Sequence, residues 1–233
     1  MLPTDNTAVR LPLLALRGVV VFPKTVASFD VARKKSANAL RVAMEADQTL
    51  FVATQKDVYV EEPEERDLYE IGTVVKIKQV LKVTDNVIKV LVEGLYRAKR
   101  LTFKNGTRYL VADVLALEEK PLQNRQVYKE SLLRRIKQKF NDYVSVLRGV
   151  APDVLMTAEN SEDIGFLCDY IAYNIPAPFD DKQYVLEQTS VSKRAKILLE
   201  LLDKEREIGE IDRKIQEKTR TSIDEAQKQY YLR

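Results

Sequence analysis

The chain has 233 residues, of which 45% are hydrophobic and 31% are charged, and its formal net charge is +3. This is the composition of a globular protein with a core of its own, and the charge is too small to indicate a nucleic-acid partner. The absence of histidine and the single cysteine, Cys168, exclude a histidine base, imidazole or thiolate metal sites and an intrachain disulfide. No apolar run has the length of a signal peptide core or a membrane span, so we expect a cytoplasmic protein without a membrane partner.

Catalytic motifs are also missing from the sequence. The seven glycines form neither a G-x-x-x-x-G-K-[ST] loop nor a G-x-G-x-x-G array, and there is no G-x-S-x-G elbow. Carboxylates, lysines and tyrosines are present, but they form no recognisable constellation. We therefore predict a non-catalytic chain that holds no metal or cofactor.

The first half of the chain is predicted to be mostly strands. One helix is predicted over 35–47, with Ser36 as a possible cap. Turn residues at 84–86 and at Asn105-Gly106 predict two hairpins. Strands at this spacing indicate a small closed or half-closed barrel, because closure hides strand edges. The predicted strands are 11–16, 19–22, 26–31, 50–54, 74–81, 87–93, 98–104 and 109–117.

Between two of these strands lies an acidic segment, 57–70, which has seven acidic residues against one arginine. It is predicted to be a solvated loop, and a site for a cation or a basic partner is the alternative.

After Pro121 the apolar period becomes helical. The first predicted helix has a stripe of six apolar residues and Gly149 as its carboxyl-terminal cap. Further helices are predicted to start near Pro152, after an Asn160 cap and after an Asp180 cap. The stripe of the first helix consists of Val127, Leu133, Ile136, Phe140, Tyr143 and Leu147.

A long helix is predicted from Ser190 to the end of the sequence. Some 40 residues of helix would span about 60 Å at 1.5 Å per residue. A small domain cannot cover that length, so we expect the far half to pack against something else or to stay exposed. The pattern is still helical at the last residue, so we expect the polypeptide to continue beyond Arg233.

Several stretches carry a resemblance to a known family. The sequence is similar, in order and spacing, to the amino-terminal region of the bacterial ATP-dependent Lon protease of the LonA type. The similarity is weakest over 118–190. The matching stretches are LPLLALRGVVVFPKTV (11–26), VARKKSANALRVAM (31–44), FVATQKD (51–57), DLYEIGTVVKIKQVLKV (67–83), IKVLVEGLYRAKR (88–100) and QKQYYLR (227–233).

The resemblance implies an α+β architecture. A PUA-like β-barrel domain with one helix (1–118) would precede a helical bundle (119–190) and a long helix leading toward an ATPase module (191–233). It also implies a function in protein quality control and the stress response. The region would bind unfolded or damaged proteins, pass them to AAA+ ATPase and Ser–Lys peptidase modules, and support a hexamer. ATP and magnesium would belong to those modules. The family often has proline where Ser28 stands and glycine where Ala32 stands.

Two surfaces are predicted to make the contacts. A binding surface for unfolded protein would need an apolar patch with a polar rim, and it is predicted at Phe22, Pro23, Val26, Phe29, Arg33, Lys34 and Lys35. The alternative is that the apolar members are core residues. Contacts between subunits or modules are predicted at Ile208, Ile211, Ile215, Ile223 and Tyr230. There the alternative is packing on the chain's own helices.

Three other functions remain open. An RNA- or DNA-binding PUA-like module would use the basic helix 120–148 to contact phosphates, although no stacking array of aromatic residues accompanies it. An enzyme and a free-standing adaptor are the other two. The basic residues are Lys120, Arg125, Lys129, Arg134, Arg135, Lys137, Lys139 and Arg148.

Overall fold

A computed structural model describes residues 7–82, 87–123, 126–146 and 150–231, without the side chains of residues 82 and 221–231. Over these ranges the fold is mixed α+β, with a six-stranded sheet and six helices. The strands are β1 Val9–Leu16, β2 Val26–Val31, β3 Thr49–Thr54, β4 Ile71–Lys82, β5 Ile88–Asn105 and β6 Leu110–Ala116. The helices are α1 Lys34–Glu45, α2 Gln126–Val146, α3 Pro152–Asn160, α4 Ile164–Asn174, α5 Phe179–Leu186 and α6 Val191–Tyr231.

The strand pairings run in a closed circle. The order along the sheet is β2-β5-β4-β3-β1-β6, and β6 pairs again with β5. Five strands therefore form a ring, and β2 is attached to the ring through β5 alone. The β1–β3 pairing is parallel and the others are antiparallel, so the crossover from β1 to β3 runs through β2 and α1.

Two apolar clusters line the strands. One includes Leu14, Phe29 and Val92 and is partly covered by Leu40 of α1. The other includes Leu13, Phe51 and Val114. Because successive side chains of a strand point to opposite faces, β1 contributes Leu14 to one cluster and Leu13 to the other. Strand β3 and the second half of β1 are therefore buried on both sides, which explains their continuous apolar runs.

The helices share a third core. Ile136 and Phe140 of α2, Leu167 of α4 and Leu198 of α6 are buried in it. Phe22, from the segment between β1 and β2, belongs to the same cluster. The helices therefore pack against the strand part through apolar contacts as well as against each other.

Two predicted boundaries in the strand region differ from the structure. Residues 19–22 are not a strand, and β5 runs unbroken from Ile88 to Asn105 through the predicted break at 94–97. Gly94 lies in that break, where its nitrogen donates to Thr25 O at 2.9 Å and a Cβ would lie 2.0 Å from Phe22 O. The glycine marks a close approach of two backbone segments and not a turn.

The helix starts also correct the sequence prediction. Helix α1 begins one residue after Arg33, so Ser36 lies inside the first turn and caps nothing. Helix α3 includes Asn160, and the cap of α4 is Asp163, whose carboxylate accepts from Phe166 N at 3.1 Å. Helix α5 begins after Pro178 and places Asp180 in its first turn, where its charge favours the helix dipole.

The remaining local predictions concern the turn at 84–86 and three residues of the α2 region. The turn and Gly149 lie outside the described residues, as does Leu147. Val127 is 76% exposed, so the stripe of α2 begins to face the core only further along the helix. No described helix is long and apolar enough to cross a membrane.

Candidate functional site

The corner where β2 leads into α1 carries the predicted basic residues. Arg33 is partly buried, Lys34 is exposed and Lys35 is partly buried. Together with Arg17 they line a cavity of about 380 Å³, which we call the corner groove. Its opposite wall comes from the acidic segment and includes Glu61, Glu62 and Pro63. The groove is open to polar partners and has more basic than acidic side chains.

Among the described residues, the hydrogen-bond acceptors of Arg33 are all neutral. Its guanidinium donates to Gln55 Oε1 and, at 3.4 Å, to Val60 O, which also accepts from Arg17 at 3.3 Å. Burial lowers the pKa of Arg33, the charge of Arg17 lowers it further, and Glu61 opposes both. No carboxylate of the described residues forms an ion pair with either arginine. The two guanidiniums therefore present charge that an anionic group could neutralise.

The apolar residues of the predicted binding surface differ in their burial. Phe22 is fully buried, and Pro23 and Phe29 are buried as well. Val26 is 54% exposed. The sequence could have indicated that Val26 is exposed, because the polar residues Ser28 and Asp30 share its face of β2. The predicted binding role of the set stays a prediction, and Val26 is the apolar member that a partner could reach.

The predicted contact surface on α6 is exposed where its side chains are described. Ile208, Ile211 and Ile215 are 44%, 55% and 56% exposed, and every residue over 211–220 is exposed. By contrast, Leu198, Leu201 and Leu202 at the start of the helix lie in the helical core. The side chains of Ile223 and Tyr230 lie outside the described residues. The helix thus leaves its own domain with an apolar stripe uncovered.

A buried charge network joins the strands to the helices, and sequence reasoning missed it. Arg97 of β5 forms two bonds to the carboxylate of Asp169 of α4, at 2.9 and 2.5 Å. Arg194 of α6 reaches the same carboxylate at 3.3 Å and Glu119 Oε2 at 2.8 Å. Arg97 also donates to Leu186 O at 2.8 Å. Burial raises the pKa of Asp169, and both arginines act against that shift.

The signal for this network was a charged residue on an apolar helix stripe. Asp169 follows Cys168 in α4, and Arg194 precedes Ala195 in α6, both among buried neighbours. Buried charges are rarely found without partners. The sequence could therefore have indicated that partners exist, but not that one of them lies on a strand.

Several basic residues of the 120–148 region contact other parts of the chain. Lys137 donates to Glu159 O, and Lys139 pairs with Asp203 of α6. Lys120 bridges to Ser190 through the backbone. Arg125 and Arg148 lie outside the described residues. In the described part of the chain no group of three acidic, histidine or cysteine residues could hold a metal ion.

Comparison with known proteins decides the family. Residues 10–204 match the family model of the ATP-dependent protease La (LON) substrate-binding domain. The chain belongs to this Lon family. It is 40% identical over 223 residues to the Lon protease of Brevibacillus choshinensis and 39% identical over 234 residues to that of Syntrophomonas wolfei. It is 32% identical over 232 residues to the Lon protease of Escherichia coli.

These alignments cover 96–100% of the chain but only 28–29% of each Lon relative. Two solved structures share the fold. The amino-terminal domain of Mycobacterium avium complex Lon protease aligns with a TM-score of 0.68 at 19% identity, over 84% of this chain and 98% of that one. The Lon amino-terminal domain protein of Xanthomonas campestris has a TM-score of 0.59 at 14% identity, over 82% and 97%. At these identities the two structures support the fold alone.

Proposed function

We propose that this chain recognises unfolded or damaged proteins and passes them to AAA+ ATPase and Ser–Lys peptidase modules. The observation that carries the proposal is the match of residues 10–204 to a substrate-binding domain of an ATP-dependent protease. ATP and magnesium would act in those modules, and the described part of this chain holds no candidate metal cluster. The setting would be cytoplasmic protein quality control.

The corner groove supports the recognition step. An unfolded chain offers exposed apolar side chains, charged side chains and unpaired backbone groups. Arg33, Lys34 and Lys35 provide basic charge in the groove. Val26 lies outside the groove, at the start of β2, and provides exposed apolar area. Because the patch is small, we expect one copy to bind weakly, with a dissociation constant of about micromolar to millimolar. A ring of copies would add avidity.

A binding titration with reduced, carboxymethylated lysozyme tests this step. Val26→Asp is expected to weaken binding about tenfold, because removing one half-exposed valine contact costs about 1.5 kcal/mol. The matched control is Leu101→Asp, which changes a similarly exposed residue of β5 beyond the part that pairs with β2. Equal losses in both variants, with unchanged circular dichroism, would contradict a role for Val26.

We also propose that the uncovered stripe of α6 contacts neighbouring subunits or modules, as in a hexamer. The exposure of Ile208, Ile211 and Ile215 supports this, since an apolar stripe gains stability when it is buried. Light scattering over a concentration series tests it with Ile211→Glu and Ile215→Glu combined, against Gln216→Glu as a control. Self-association that is identical in the unaltered chain and both variants would remove the basis for an oligomer role.

The finer description of the fold belongs to the same proposal. The closed ring of five strands supports a PUA-like β-barrel over 1–118, with a helical bundle over 119–190 and the long helix over 191–233 after it. The first turns of α6 share the core of the bundle, so the long helix would transmit movements of the bundle to the ATPase module. Lys137 and Lys139 contact Glu159 and Asp203 of the chain itself, so they do not support the nucleic-acid alternative.

A further inference from the structure

The ring of strands is closed at one end and open at the other. Strands β2 and β6 lie on the same edge of β5, since β2 pairs with residues 88–93 and β6 with residues 98–105. On the far side, β1 uses residues 9–13 to pair with β6 and residues 13–16 to pair with β3. Within the described ranges, residues 14–16 of β1 therefore have no strand partner on the side where β6 has ended.

A cavity of about 340 Å³ occupies this opening, which we call the strand slot. It is lined by consecutive residues of β1 and the turn after it (14–17) and of β2 and the segment after it (28–33). Consecutive residues of a strand point to opposite faces, so a cavity that touches all of them runs along the backbone edge. The slot thus separates two unpaired strand edges.

The backbone groups at the edge of β2 can be assigned from its pairing. Thr25 O accepts from Gly94 N, and the register then turns the backbone groups of Ala27, Phe29 and Val31 toward β5. The alternate residues, Val26, Ser28 and Asp30, direct their N–H and C=O groups away from β5. Ser28 and Asp30 line the strand slot, so their backbone groups face the cavity.

The charged side chains along the slot influence what could occupy it. Arg17 and Arg33 line the end near α1 and have no carboxylate partner among the described residues. Asp30 lies along the edge but is paired with Lys89 at 3.8 Å. The charge at the end near α1 therefore complements an anionic side chain.

We infer that an extended segment of an unfolded polypeptide adds to the free edge of β2 as a further strand, with a carboxylate against Arg17 and Arg33. This inference rests on the proposed function and names how a substrate is bound. Main-chain hydrogen bonds would provide affinity without a fixed sequence, and an acidic residue at one end would orient the segment. Residues 28–33 offer about 20 Å of edge at ~3.3 Å per residue, enough for about six residues of substrate.

The test uses the whole chain and a labelled hexapeptide, Val-Thr-Val-Thr-Val-Glu. Amide hydrogen exchange is followed residue by residue with and without peptide. We expect new protection at Val26, Ser28 and Asp30, whereas Ala27 and Phe29 are protected already by β5. Two further peptides are methylated on every second backbone nitrogen, one on each of the two alternate sets. The peptide whose methylated nitrogens would face β2 should not bind, and the other should bind as the unmodified peptide does.

Variants of the chain separate backbone from side-chain binding. Ser28→Pro removes one edge donor that β5 does not use, and it should weaken peptide binding about three- to tenfold, the net effect of one hydrogen bond. Ser28→Thr keeps the donor and should bind as the unaltered chain does. Arg33→Gln should weaken binding of this peptide. It should not weaken binding of a peptide that ends in glutamine with an amidated carboxyl terminus. Thermal unfolding verifies that each variant is folded.

The outcomes distinguish this inference from the proposed function. If the peptide or reduced, carboxymethylated lysozyme binds with no new protection at the β2 edge, strand addition is refuted while substrate binding stands. If neither binds at all, both proposals fail. If the edge is protected without peptide and the protection rises with protein concentration, a second copy occupies the slot and the inference is overturned.

Discussion

The buried network around Asp169 allows a sharp test of how the two parts of the chain are held together. Asp169→Asn keeps the size of the side chain, so it removes charge without creating a cavity. Arg97 and Arg194, whose side chains are 6% and 0% exposed, would both lose this carboxylate, and Arg194 would keep its contact with Glu119. Breaking one partner of a buried ion pair costs about 3–5 kcal/mol. Because the amide oxygen can still accept one bond, we expect the free energy of unfolding to fall by about 3 kcal/mol.

Urea unfolding followed by far-ultraviolet circular dichroism and by tyrosine fluorescence measures this loss. The matched control is Asp203→Asn, whose partner Lys139 is nearer the surface, and it should cost no more than about 1 kcal/mol. The double change Arg97→Met and Asp169→Leu removes the Arg97–Asp169 pair and leaves Arg194 with Glu119, so it should recover part of the loss, since apolar replacements of buried pairs are often neutral. A loss below about 1 kcal/mol for Asp169→Asn would refute the reasoning, since a buried pair should cost more.

Three further predictions concern single residues. Gly94→Ala should prevent stable folding, seen as lost circular dichroism, because its Cβ would lie 2.0 Å from the backbone oxygen of Phe22. Hydrogen bonds from Arg10, assisted by Thr102, lower the pKa of Asp113 to about 2, so its stabilising effect is complete above the ordinary value of 3.8 and is lost as pH falls toward 2. A carboxyl titration by nuclear magnetic resonance should show this, and Arg10→Ala should return the pKa toward 3.8. Cys168 is buried and its pKa is raised by burial, so it should react with a thiol reagent only after unfolding; rapid reaction of the native chain would contradict the described packing.

Much of the local structure could be predicted because it depends on neighbours in the chain. The alternation of β2, the period of α1 and the Asn105-Gly106 turn all follow from side-chain direction and backbone preference within a few residues. Caps were harder, since Asp163 and Asn160 are both capable residues and only the observed end of α3 decides between them.

The exposure of the residues in the proposed binding surface was only partly predictable. Arg33, Lys34 and Lys35 do line a common groove, and Val26 is exposed. Phe22 lies in an irregular segment with no period to indicate a direction, and its burial depends on helices more than a hundred residues later. Phe29 could have been assigned to the core, because it lies on the opposite face from Ser28 and Asp30.

The amino-acid sequence alone determined the strand and helix periods, the absence of histidine and thiolate chemistry, and a terminal helix too long for its own domain. These properties need only composition and local spacing. The tertiary structure alone decided that β2 keeps a free edge beside residues 14–16 of β1, and that Arg97 meets Asp169 across 72 positions. A periodic pattern shows that a face must be buried, but the segment that covers it depends on contacts between residues far apart in the chain.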